Sequence, residues 1–176
     1  MHIMLLDDRS NIKWLTKYMH KYTGRIIMKD KIQKILQAHD LLRLGTLDMD
    51  GFPNVRSVDF AHDPEDVSKL YFTTFKETSK VAELKKDNRV YVVVDKSADS
   101  IQALSQIQYI RGTGEAFEVS TPEEMQKAMG LLLTKYPFLK DLPGDPSMMS
   151  VYRIELNEVK VTDNSLGFGH VDKVTF

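Results

Sequence analysis

Cysteine is absent from the 176 residues. Its absence excludes disulfides, thiolate-ligated zinc, cysteine-ligated iron–sulfur clusters and a cysteine nucleophile, so any redox chemistry has to come from a bound cofactor. An excess of either charge is missing too: 24 Lys and Arg stand against 25 Asp and Glu, a formal net charge of -1. A chain so balanced has no bulk attraction for nucleic acid or anionic lipid, and no nucleic-acid partner is expected. No apolar run approaches the roughly 20 residues that span a bilayer. At the N-terminus, Asp7 and Asp8 interrupt Met1 to Leu6 before the apolar core of a signal peptide could form. The expectation is a soluble, cytoplasmic chain with no membrane contact. Repeats and low-complexity tracts are lacking as well, and the length suits one domain with a substantial core.

Motifs of several enzyme classes are also missing. The histidines at 2, 20, 39, 62 and 170 show neither HxH nor HExxH spacing, and none lies beside an acidic cluster of ligand-like spacing, so no metal site is expected. His39, near a helix end, reads as a partly buried or capping residue. His170 follows Gly167-Phe168-Gly169, which reads either as a shaped loop or as a solvated tail. There is no GxSxG elbow, no Walker A sequence and no GxGxxG opening a helix after a strand, and no acid–base pair is placed for catalysis. Catalytic residues therefore stay unassigned. The glycines of Arg111-Gly112-Thr113-Gly114 read as a bulge or a close backbone approach within a strand.

What is present is mostly strand texture. The first residues, with Ile12, Leu15, Met19 and Tyr22 at near-helical spacing and Gly24 at their end, predict a helical arm or loose extension over 1–28. Asp30 is placed to cap a short helix with Ile32, Ile35 and Leu36 as its apolar face. Leu41 to Leu47, the turn Asp48-Met49-Asp50-Gly51 and Pro53 to Phe60 read as a hairpin. Leu70 to Thr74, Arg89 to Val94, Gln106 to Val119 and Val151 to Val161 supply further strands. A brief helix is predicted from Thr78 or Ser79 to Lys86. A clearer one follows Thr121-Pro122-Glu123-Glu124, with a stripe from Met125 to Tyr136, and is closed by Pro137. About six strands, joined by connections mostly too short for parallel crossovers, favour an antiparallel barrel or meander with peripheral helices.

The segment Thr73-Thr74-Phe75-Lys76-Glu77-Thr78-Ser79-Lys80 joins a strand end to a helix start. Four hydroxyls and a lysine gather where helix N–H groups point outward, an arrangement that binds phosphate. Plain N-capping by Thr78 or Ser79 accounts for one hydroxyl and not for the rest. Arg56, on the hairpin, can add a second positive donor, or it can be an ordinary solvated strand arginine.

The order of Pro53-Asn54-Val55-Arg56-Ser57-Val58, Tyr71-Phe72-Thr73-Thr74, Thr78-Ser79-Lys80-Val81, Asn88-Arg89-Val90 and Gln108 through Gly114-Glu115-Ala116 resembles the FMN-binding split-barrel family related to pyridoxamine 5'-phosphate oxidase, over about Asp30 to Thr162. The resemblance implies a mainly β, α+β fold, a six-stranded antiparallel Greek-key split barrel with peripheral short helices. It would occupy 29–176 and form a homodimer with one FMN in each interface cleft. By position, Arg56, Ser57 and Val58 would line the flavin, and Thr73 and Thr74 would meet the flavin and its ribityl phosphate. Ser79 and Lys80, supported by Thr78, would hold the phosphate, and Gln108, with Gln106 as the alternative, would approach from the partner subunit. The implied activity is that of an oxidoreductase or flavin reductase acting on a small molecule, with NAD(P)H as reductant. F420 or haem in the same fold, haem with His170 or His62 as axial ligand, and a non-catalytic, stress-associated flavin-binding protein are the alternatives. Nothing after Val161 resembles the arginine- and aromatic-rich end of true pyridoxamine phosphate oxidases, so their substrate is not implied.

Overall fold

A computed structural model describes residues 26–143 and 145–176. The arm expected over 1–28 lies almost wholly outside the described residues. Helix α1 covers 26–37. Because it is already formed at 26, Asp30 stands within the helix and is not its cap. Ile32, Ile35 and Leu36 are buried as the apolar spacing predicts.

Eight strands follow: β1 (Leu41–Leu47), β2 (Pro53–Asp59), β3 (Ala61–His62), β4 (Lys69–Phe75), β5 (Arg89–Val94), β6 (Gln108–Glu118), β7 (Met149–Asp163) and β8 (Val171–Thr175). They form one antiparallel sheet in the order β2-β1-β5-β6-β7-β4-β3, with β8 added beside β7. This is the expected split barrel with two strands more than six. β3 is a two-residue continuation of β2 past a bend. β8 was hidden by the glycines before it, where Gly167 and Gly169 take positive φ (136° and 75°) in the turn between β7 and β8. The segment Gly167 to His170 is thus a shaped loop and not a tail. Three more helices pack around the sheet: α2 (Ser79–Lys86), α3 (Ile101–Ser105) and α4 (Pro122–Lys135). α3 occupies residues between β5 and β6 for which the sequence predicts no element. Among the described residues no helix is long and apolar enough to cross a membrane.

Strand alternation accounts for the interior. Leu42 and Leu44 of β1, Val90, Val92 and Val94 of β5, Leu70 and Phe72 of β4 and Ile154 and Leu156 of β7 point into one core, and the ring of Phe72 stacks on Tyr152. A second, smaller cluster lies outside the barrel, where Ala128 and Leu132 of α4 and Tyr136 just after it cover Tyr71 and Val151. The hairpin turn is built on Asp48, whose Oδ1 accepts from the amides of Asp50 and Phe52 at 2.9 and 2.8 Å, while Gly51 supplies the positive φ of 88°.

β6 and β7 approach so closely that a Cβ on Gly112 would stand 2.3 Å from the carbonyl oxygen of Glu158. The register shifts after Thr113, so that Asn157 bulges from β7. The glycines therefore do the structural work expected of them.

The two ends of the strand order, β2 and β3, are halves of one bent segment joined at Phe60, and this bend closes the barrel. At a bend the ladder cannot satisfy the backbone. The phenol of Tyr136 does so instead, accepting from the Phe60 amide (3.2 Å) and lying 3.0 Å from the Phe60 carbonyl and 2.5 Å from that of Asp40. Lys135 Nζ sits 3.8 Å from the centre of the Phe60 ring.

Candidate functional site

β3 pairs with β4 through Ala61–Tyr71 and His62–Leu70. Continued, that register would set Asp59 opposite Thr73 and Val58 opposite Thr74, yet among the described residues β2 pairs only with β1. The strands separate beyond Phe60, and the facing edges of β2 and β4 are left without a ladder. An edge strand of this kind offers its backbone N–H and C=O groups to whatever enters the split. β4 then turns into α2 at the top of this opening.

α2 differs from α3 and α4 in how it begins. Ser100 caps α3 and Thr121 caps α4 with a side-chain oxygen. Thr78 occupies the N-cap position of α2, in extended conformation, without capping it; its hydroxyl donates instead to the Phe75 carbonyl at 3.0 Å. The first amides of α2 are thus without a side-chain acceptor among the described residues, at the positive end of the helix. Lys80 Nζ donates to Thr74 Oγ1 at 2.7 Å, and that hydroxyl lies 3.4 Å from Thr78 Oγ1. Burial, with the positive charge of Arg56 second, lowers the Lys80 pKa, and Glu83 acts in the opposite sense.

Arg56 is committed elsewhere. Its guanidinium pairs with the buried Glu83 of α2 at 2.7 Å and donates to Thr46. Glu83 also accepts from Thr46 Oγ1 at 2.5 Å and from Asn54 Nδ2 at 2.9 Å. Burial alone would raise the Glu83 pKa, but the hydrogen bonds from Thr46, Arg56 and Asn54 overcome it and hold the carboxyl below its usual value. This network, which the sequence did not single out, seals the end of the barrel beneath α2. Glu83 stands on the buried side of α2 with Val81 and Leu84, and an acidic residue in that position is the signal that it has a buried cationic partner.

Alternation divides the remaining expected residues. Val58 points into the core beside Phe60, so only its backbone is available to the split. Ser57 points outward with Val55 and Pro53, and the latter two line an open groove of about 450 Å³ whose walls include Gly45 and Tyr91. Thr74 points inward and is buried, whereas Thr73 faces the other way and donates to the Ser150 carbonyl at 3.3 Å. Ser79 opens α2 beside Lys80.

Gln108 is not brought to this group. It begins β6 at the opposite end of the barrel, donating to Asp163 at 2.9 Å, and shares a cavity of about 240 Å³ with Gln106 and His39. Asp163 is also paired with Lys31 of α1; burial would raise its pKa, but the bonds from Lys31 and Ser165 bring it down to about 2.

Of the two histidines considered as haem ligands, His170 lies exposed with Nε2 3.1 Å from Asp172. His62 has a buried Nε2 with no partner among the described residues and lines a separate cavity of about 240 Å³ with Lys135 and Thr134. Burial, then Lys135, lowers its pKa. Among the described residues no group of three or more His, Asp or Glu is arranged to hold a metal ion.

The chain matches no curated protein. Among solved structures it resembles a haem-binding protein of Mycobacterium smegmatis (18% identity, TM-score 0.69), covering 84% of this chain and 57% of that one. It resembles the haem storage protein HutZ of Vibrio cholerae (15%, 0.60, covering 73% and 89%). It also resembles a proposed pyridoxamine 5'-phosphate oxidase of Listeria innocua (22%, 0.59, covering 76% and 97%). At these identities the likeness is one of fold. A family model described as pyridoxamine 5'-phosphate oxidase matches residues 28–163, and the chain belongs to that family.

Proposed function

We propose that this member of the family binds FMN at the split between β2 and β4 and uses it as an oxidoreductase or flavin reductase on a small molecule, with NAD(P)H as the reductant. The observation that carries the reading is the start of α2: an N-terminus without a side-chain cap, with Lys80, Thr74 and Thr78 around it, beside two open strand edges. Free helix amides and an ammonium are the donors a phosphate dianion takes. Because Glu83 neutralises Arg56, Lys80 rather than an Arg56–Lys80 pair supplies the main positive charge. The open edge of β2 at Arg56, Ser57 and Val58 offers backbone groups to the pyrimidine ring, which needs both donors and acceptors. Bound FMN would supply hydride or electron transfer, and the chain's part is to hold and orient it.

The assembly we propose is a homodimer. Its support is the outer face of β2, β1 and β5, where Val55, Tyr91 and Leu41 are 64%, 42% and 44% exposed around the 450 Å³ groove. In such a dimer Gln108 would come to the flavin from the partner.

Titrating FMN into purified apo protein and following the flavin spectrum and thermal stability tests the reading. Tight uptake weakened in Lys80→Ala supports it; protein that takes up no FMN and gains no thermal stability overturns it. Stopped-flow mixing of the loaded protein with NADH and NADPH separates an enzyme, in which the flavin bleaches quickly, from a flavin-binding protein in which it stays oxidised. Haem is the second reading, favoured by the unpartnered Nε2 of His62 and by the haem-binding structures that share the fold. Hemin titration with a Soret shift that disappears in His62→Ala would establish it in place of FMN.

A further inference from the structure

We propose that the cavity between the end of α1, β3 and α4 is a second binding site, for a small monocarboxylate with an apolar body, anchored on Lys135. The cavity, of about 240 Å³, has Ala61, Pro64 and Leu131 as apolar walls and His62, Thr134 and Lys135 as polar ones. The ammonium is located by its partners. Lys135 Nζ donates to the carbonyls of Leu36 and His39 at 3.3 and 2.6 Å, on either side of Gln37 in the chain, and its charge reaches the His62 ring. Gln37 and His62 both line the cavity, so the amine is bracketed by two of its walls.

What holds Lys135 does not neutralise it. Two carbonyls and the Phe60 ring, 3.8 Å from Nζ at its centre, orient a cation without carrying a counter-charge. Among the described residues Lys135 makes no ion pair; Asp40 and Asp59 act on it from beyond that distance, and neither lines the cavity. Charges withdrawn from water are ordinarily paired. One unmatched ammonium calls for a monoanion, and apolar walls call for an uncharged body behind it. The side-chain amide of Gln37, without a partner among the described residues, is a neutral donor for the second carboxylate oxygen. A volume below the roughly 300 Å³ of a drug-sized pocket limits that body to a short chain. None of these side chains belongs to the start of α2 or to the pair Gln106 and Gln108, so the site stands apart from the FMN reading.

The experiment is methyl NMR on the full chain, titrated with butyrate and with butyramide, its neutral counterpart. Butyrate should shift the Ala61 and Leu131 methyl signals saturably, and butyramide should bind at least about tenfold more weakly, as for loss of a hydrogen bond between charged partners. Burial, opposed by Asp40 and Asp59, lowers the Lys135 pKa to about 8, so butyrate affinity should fall about tenfold per pH unit above that value. Of the other groups facing the amine, His39 presents its carbonyl, while burial lowers the His62 pKa from its usual value and pushes Tyr136 up to about 12, which leaves the lysine to set this slope. Thr134→Trp, at an exposed position on the cavity wall, should fill the cavity and abolish the response, and Lys80→Ala should leave it intact. Equal binding of butyrate and butyramide, an affinity unchanged above pH 8, no shift at all, or a response retained in Thr134→Trp or lost in Lys80→Ala would each overturn the proposal.

Discussion

The two ends of the barrel are closed by the same means, a helix laid across a ring of strands, but they differ in which polar groups the closure leaves without partners. Beneath α2 the Arg56 charge is answered inside the protein by Glu83, which also meets Thr46 and Asn54, and the open groups are donors, the first amides of α2 and Lys80. Beneath α1 the ion pair of Lys31 and Asp163 secures the helix, and the group without a partner among the described residues, Nε2 of His39, is itself buried. A sealed end can still carry a binding function. What matters is which backbone or ring atoms the seal does not use.

The largest effect expected from breaking one end comes from Glu83→Ala. It leaves the Arg56 guanidinium, 18% exposed, without its counter-charge, and should cost about 3–5 kcal/mol in urea denaturation, the range for removing one partner of a buried pair. An Arg56→Met/Glu83→Leu double variant should recover much of that loss, because both charges leave together. A Glu83→Ala protein as stable as the wild type would show that the network contributes nothing.

Lys80→Ala addresses the open donors and not the seal. FMN affinity should fall by about 1.5–3 kcal/mol, as for other hydrogen bonds to charged groups, with the denaturation midpoint of the apo protein nearly unchanged. Fluorescence titration of FMN reads the first and urea the second. Unchanged affinity would move the phosphate away from α2.

Tyr136→Phe tests the bend that joins β2 to β3 and so positions the split itself. Loss of the phenol strips partners from Phe60 and Asp40, and about 1–3 kcal/mol of stability should go with it. Amide exchange at Phe60 should quicken more than exchange within β6.

The smallest effect is the acid response of the α1 end. The folded pKa of Asp163, about 2, lies below the roughly 3.9 of an unfolded aspartate, so the stability it contributes is complete above the unfolded value and is lost as pH falls toward 2. Asp163→Asn should flatten the pH dependence of stability in that window, by about 1–2 kcal/mol between pH 5 and 2. An unaltered acid limb would mean that Lys31 and Ser165 do not hold the carboxylate in solution.

Much of this fold was legible in advance because it rests on local pattern. Alternation in Arg89 to Val94, the Asp48 to Gly51 turn and the Thr121-Pro122 helix start each depend on near neighbours, and each stands where the chain places it. β8 and the bend at Phe60 were not legible. A five-residue strand exists because β7 is there to pair with it, and a bend is tolerated because Tyr136, 76 residues away, takes up the amide. The candidate site divides along the same line. Thr78, Ser79 and Lys80 are adjacent in the chain and stayed together at α2, whereas Arg56 was drawn off by Glu83 and Gln108 was left at the other end.

The missing cysteine, the balanced charge and the strand alternation determined by themselves that this is a β-rich domain whose redox chemistry, if any, must be borrowed. Only the tertiary structure decided which polar groups are spent and which are free. Hydrogen bonds and ion pairs form between atoms distant in sequence, and a buried group's availability depends on its last neighbour. Glu83 and His39 looked unremarkable in the chain; packing made one the counter-ion of Arg56 and left Nε2 of the other without a partner among the described residues.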